Sequence, residues 1–132
     1  MRYLPGAVLV AGMTRFEADD SAGRLSLLAE AVAANRRRPG EGVVVESDGG
    51  RAEYDDRLVR LELDEPARDR LSDLLGSFPA FKTKQPDTRK APEGVVYVSA
   101  VADPKRVADF LEGVFRQVFG EPEGYELRVV RI

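Results

Sequence analysis

The sequence predicts an α+β domain built on an antiparallel sheet, and three observations carry that expectation. Residues 57–132 alternate runs of period-two and period-3.6 hydrophobicity in the order strand, helix, strand, strand, helix, strand. Both helices in that stretch open on an aspartate with a proline close behind, Asp64-Glu65-Pro66 and Asp103-Pro104, the side-chain cap and pre-set φ that start a helix. Finally, 43% hydrophobic residues beside 33% charged ones in 132 residues describe a single folded domain, because a disordered chain of that charge holds far fewer apolar groups.

Along the chain, AVLVAGM at residues 7–13 is too short to span a bilayer and makes a poor signal peptide, so the expected location is the cytoplasm, without membrane association. This run reads either as an edge strand at residues 7–11 or, with residues 1–12, as an extension upstream of a domain that begins at Met13. Residues 21–38 follow as a helix with Leu25, Leu28, Ala29 and Val32 on one face, capped by Asp20 or Ser21. Arg36, Arg37 and Arg38 fall in its last turn, where cations meet the negative end of the helix dipole, and Pro39-Gly40 stops it. GVVVESDGGRAEYDD at residues 42–56 is a hairpin signal, with Gly49 and Gly50 expected to supply the positive φ of its turn.

RLVRLEL at residues 57–63 places Val59, Leu61 and Leu63 on one face and Leu58, Arg60 and Glu62 on the other. The helix after Asp64 carries the stripe Leu71, Leu74, Leu75, Phe78. Residues 81–85 form a short strand, 86–93 a proline-bearing loop, and GVVYVSAVA at 94–102 a strong strand. The helix from Pro104 ends at Gly120, and YELRVVRI at 125–132 is the last strand. Val107, Phe110, Leu111, Val114, Phe115, Val118 and Phe119 cover about half the circumference of that helix, wider than one sheet requires. The surplus must meet either the helix at 21–38 or a second copy, in a homodimer through residues 104–119.

The element order of residues 57–132 resembles the ferredoxin-like split βαβ arrangement, βαββαβ, which implies a four-stranded antiparallel sheet with two helices on one face. Residues 1–56 then add an N-terminal strand, helix and hairpin to the same single domain. The lysine-poor, Asp/Glu/Arg-rich composition and the phrase TRKAPEGVVYVSAVAD also resemble small uncharacterised proteins of halophilic archaea.

Composition excludes much chemistry. Without cysteine or histidine the chain has no thiolate nucleophile, no imidazole base and none of the usual zinc or iron ligands. The Asp and Glu residues are scattered and form no calcium loop, so neither a metal nor a cofactor is expected. The charge anomaly is FKTKQPDTRKAP at 81–92: Lys82, Lys84, Arg89 and Lys90 against Asp87 give +3 inside a chain of net −3. Alternation places Lys82 and Lys84 with Arg60 on the sheet face that the helices leave open. Lys82, Lys84, Arg89, Lys90 and Arg60 are therefore the expected anion-binding residues of a non-enzymatic binding or interaction domain, with a phosphate-bearing ligand or nucleic acid as its partner.

Two alternatives compete. RNA-recognition motifs share the element order, and EGVVYVSA offers Gly94, Tyr97 and Val98 at matching positions, although Val95 and Ala100 stand where stacking aromatics belong. A small-ligand enzyme using Tyr54, Tyr97, Asp103 or Lys82 is the other.

Overall fold

A computed structural model describes residues 8–9, 16–84 and 94–131. Among them three helices and eight strands follow one another. They are β1 (Val8–Leu9), β2 (Phe16–Ala18), α1 (Ser21–Arg37), β3 (Val43–Ser47), β4 (Gly50–Asp55), β5 (Leu58–Glu62), α2 (Glu65–Leu75), β6 (Lys82–Lys84), β7 (Val95–Ser99), α3 (Pro104–Gly113) and β8 (Leu127–Arg131). A π turn, Val114–Val118, continues α3. The strands form one open antiparallel sheet in the order β1-β2-β8-β3-β4-β5-β7-β6.

The helix starts form as their caps dictate. Asp20, Asp64 and Asp103 accept the backbone N–H groups of Gly23, Ala67 and Arg106 at 2.7, 2.9 and 2.8 Å. Each helix then crosses between strands of like direction. β2 and β3 are both antiparallel to β8, which lies between them, and β5 and β6 are both antiparallel to β7. The sheet thus holds two split βαβ units, β2-α1-β3 and β5-α2-β6, joined by α3.

This order corrects the ferredoxin-like expectation. β5, β7 and β6 are neighbours as that fold requires, but the last strand of the motif does not lie beside β5. The reason is the link from β4 to β5, where Asp56 and Arg57 take φ of 50° and 65° and close a two-residue turn. So tight a turn seats β4 directly on the free edge of β5, and β8 pairs instead with β3 and β2.

The core lies between this sheet and the helices. Val59, Val98 and Leu127 of the sheet and Val107, Phe110, Val114, Phe115 and Val118 of α3 and its π turn are fully buried. α1 packs along α3, and α2 packs on the π turn. The apolar arc of residues 104–119 is therefore packed largely within one chain, with Phe119 at its end partly exposed. Gly113 permits the close approach of α2, since a Cβ there would stand 2.8 Å from Leu74 Cδ1. Arg70 of α2 donates from Nε and Nη2 to the carbonyl of Val118 at 3.0 and 2.8 Å, satisfying an acceptor at the end of the π turn.

The hairpin glycines act differently from expectation, for neither Gly49 nor Gly50 has a positive φ. Gly50 is small because the Phe119 ring lies on it, a Cβ there falling 2.4 Å from Phe119 Cδ2. Gly49 donates its N–H to Glu121 Oε2 at 2.7 Å. The hairpin tip is thus docked against the chain that follows α3.

α1 presents an unusual inner face. Leu27, Leu28, Ala31 and Val32 are buried there together with Arg24 and Asn35. Leu25 and Ala29, expected on that face, are only partly buried beside it. Arg24 donates from Nε and Nη2 to the Glu112 carboxylate at 3.1 and 2.9 Å, and to the carbonyls of Tyr125 and Glu123 at 2.9 and 2.8 Å. Its guanidinium lies 4.0 Å from the centroid of the Tyr125 ring, whose hydroxyl donates to Glu112 at 2.8 Å. Burial opposes the charge of Arg24, but the Glu112 hydrogen bonds and charge outweigh it and raise its pKa; burial and the adjacent Glu112 push the Tyr125 hydroxyl well above its ordinary value. At the other end Asn35 donates to Asp55 at 2.9 Å and accepts the N–H of Asp56 at 3.0 Å, which holds the β4–β5 turn.

Candidate functional site

Three strands at one end of the sheet position the expected residues. Antiparallel register puts Lys84 opposite Tyr97, Tyr97 opposite Arg60 and Arg60 opposite Glu53, so these side chains form one row across the face away from the helices. Lys82, Ser99 and Leu58 form the next row. Parity thus brings Lys82, Lys84 and Arg60 to the same face, while Arg89 and Lys90 lie outside the described residues.

The cations differ in their electrostatics. Arg60 is clamped from Nη1 to Glu62 at 3.1 Å and to Glu53 at 3.5 Å. Burial works against its charge, but hydrogen bonds with Glu62 and Tyr97 prevail and raise its pKa. Arg51 adds a 3.8 Å pair with Glu53, and these four charges surround a polar depression of about 200 Å³. At the far end of the face Arg128 is likewise engaged by Glu46, Asp48 and Glu126 at 3.7, 3.4 and 3.1 Å. Such pairs contribute little stability, but they cancel the charge a ligand would meet.

Lys82 and Lys84 are exposed on β6, and among the described residues neither has an ion-pair partner. Successive same-face residues on a strand are roughly 7 Å apart, and alternate strands roughly 10 Å, so Lys82, Lys84 and Arg60 do not converge on one oxyanion. They form a strip with the Tyr97 ring in its middle. Such a strip suits a partner with negative charges repeated along its length.

The enzyme candidates do not assemble. Tyr54 is buried under α1 with its hydroxyl accepting from Arg36 Nε at 3.2 Å, and Asp103 is the N-cap of α3. Arg36 also donates to the Ala102 carbonyl, so the first arginine of the RRR run serves the fold. Among the described residues no group of three or more Asp or Glu side chains is placed to hold a metal, and no helix is long and apolar enough to cross a membrane.

Sequence reasoning missed Arg68. It projects from α2 beside the end of β6, is exposed and, among the described residues, has no ion-pair partner. The available signal was its position one turn before Ser72 on the polar side of the Leu71–Leu74–Leu75 stripe; which sheet edge that side overlooks was not visible.

Comparison with known proteins adds a family. A model of a family of unknown function, DUF7975, matches residues 13–132. The chain belongs to that family. Neither the curated proteins nor the solved structures yield a match. In this DUF7975 chain the strip of Lys82, Lys84, Tyr97 and Arg60 lies inside the matched region.

Proposed function

We propose that this DUF7975 protein is a cytoplasmic binding domain that recognises an extended, phosphate-bearing partner along the β6–β7–β5 corner of its open sheet face. One observation carries the reading: the two lysines of β6, without an ion-pair partner among the described residues, share cross-strand rows with Ser99 and with Tyr97 and Arg60, on the face opposite the helices. Lys82 and Lys84 supply the attraction, Arg60 is held ready by Tyr97 and Glu62, and Glu53 and Glu62 set the limit of the strip. The surrounding carboxylates keep a chain of net −3 from binding polyanions indiscriminately.

Tyr97 supports a second, narrower reading. It is an aromatic in the middle of the cationic strip, partly exposed, so the bases of a single-stranded nucleic acid could stack on it while phosphates meet the lysines. Titration of a fluorescent single-stranded oligothymidylate over a range of salt tests both. Binding that weakens with salt and is lost in Lys82→Gln/Lys84→Gln supports the anion reading. A further loss in Tyr97→Ala that an abasic oligonucleotide does not show supports stacking. No binding at low salt to the oligonucleotide or to polyphosphate sinks the proposal.

A further inference from the structure

A second concavity lies around the edge of the sheet from that strip. Between α2 and the ends of β6 and β7 runs a groove of about 320 Å³, at the lower end of the range for small-molecule sites, roughly 300–1,000 Å³. Leu71 and Val95, nearly fully buried, and the partly buried Leu75 and Val96 give it apolar walls. Arg68 from α2 and Lys84 from β6 bring two cations to it, Ser72 and Thr83 bring two hydroxyls, and among the described residues no carboxylate lines it. Among the described residues neither cation has an ion-pair partner.

We propose that this groove, which shares Lys84 and Tyr97 with the strip, is a second site for a small single-tailed amphiphile with a phosphate head, of the monoalkyl phosphate class. A purely apolar occupant would strip water from Arg68 and Lys84 without replacing it, and a bare phosphate would leave the apolar walls wet. A molecule with both parts satisfies both. A phosphate monoester carries close to two negative charges and three acceptor oxygens, which matches two cations flanked by two hydroxyl donors better than a carboxylate does. The guanidinium of Arg68 provides the forked contact and Lys84 a point charge.

Calorimetric titration with hexyl phosphate, ethyl phosphate and hexanol, below micelle-forming concentrations, tests the assignment. Hexyl phosphate is expected to bind one to one and at least about tenfold more tightly than ethyl phosphate, because its additional methylenes are removed from water. Ser72→Trp, at an exposed helix position, fills the groove and abolishes that binding while oligothymidylate binding on the open face is retained; Lys82→Gln does the reverse. Arg68→Gln weakens hexyl phosphate and leaves hexanol unaffected. Equal affinity for hexyl and ethyl phosphate overturns the amphiphile site and leaves the open-face reading intact. Hexanol binding as tightly as hexyl phosphate overturns the charge recognition, and an absence of hexyl phosphate binding in a folded protein overturns the site altogether.

Discussion

Removing the carboxylate of Glu112 is expected to be among the most damaging changes that leave every apolar core residue in place. Arg24 has no exposed side-chain surface and Glu112 retains 13%. Three hydrogen bonds reach the carboxylate from Arg24, and a fourth comes from the Tyr125 hydroxyl at 2.8 Å. Glu112→Ala leaves the guanidinium buried with only the Glu123 and Tyr125 carbonyls for partners. Breaking a buried pair from one side costs about 3–5 kcal/mol, and the residual exposure of Glu112 places the change near ~3 kcal/mol. For a chain of this length that corresponds to a fall in Tm of roughly 10–15 °C. Urea unfolding followed by circular dichroism measures it, with an unchanged m-value showing that the same two states are compared. The triple change Arg24→Met/Glu112→Leu/Tyr125→Phe is expected to restore at least half of the loss, since no charge is then left in the core. A loss below about 1 kcal/mol for Glu112→Ala, or a triple variant no more stable than the single one, refutes the reasoning.

Gly50→Ala is expected to destabilise by about 1–3 kcal/mol although the φ is ordinary, because the added methyl meets the Phe119 ring; Phe119→Leu in the same chain relieves it, and a thermal melt of Gly50→Ala matching that of the parent removes the argument. Asp55 has its pKa lowered first by the hydrogen bond from Asn35, with the N–H groups of Gly40, Gly42 and Asp56 adding to it. A carboxyl depressed on folding contributes stability that is full above its ordinary pKa of 3.8 and is lost as pH falls through the lower folded value. The stability gap between the parent and Asp55→Asn should therefore narrow below about pH 4, and a gap constant from about pH 7 to about pH 2 contradicts this.

Much of the framework was legible because it is local. The three aspartate caps, the stop after α1 and the alternation of β5 each depend on residues within a turn or two, and each stands where the sequence placed it. β2 was not legible, since Phe16–Ala18 is three residues in an acidic context and is a strand through its pairing with β8. The inner face of α1 was misjudged for a related reason. A hydrophobicity pattern gives Arg24 and Asn35 to solvent, yet both are buried because α3, the segment before β8 and the β4–β5 turn supply hydrogen-bond partners for their polar groups.

The candidate site divides along the same line. The parity of Lys82 and Lys84 followed from a period of two, but the neutralisation of Arg60 and Arg128 and the position of Arg68 required the register of strands far apart in the chain. By itself the sequence determined the three helix starts, most of the strands and which side chains alternate together, because short-range sterics and capping act within a few residues. The tertiary structure alone decided that a two-residue turn gives β4 the edge of β5, sending β8 to β3, and that Lys82 and Lys84 have no acidic partner among the described residues. Strand edges and counter-charges are filled by whichever element reaches them first in space, a competition that no local pattern records.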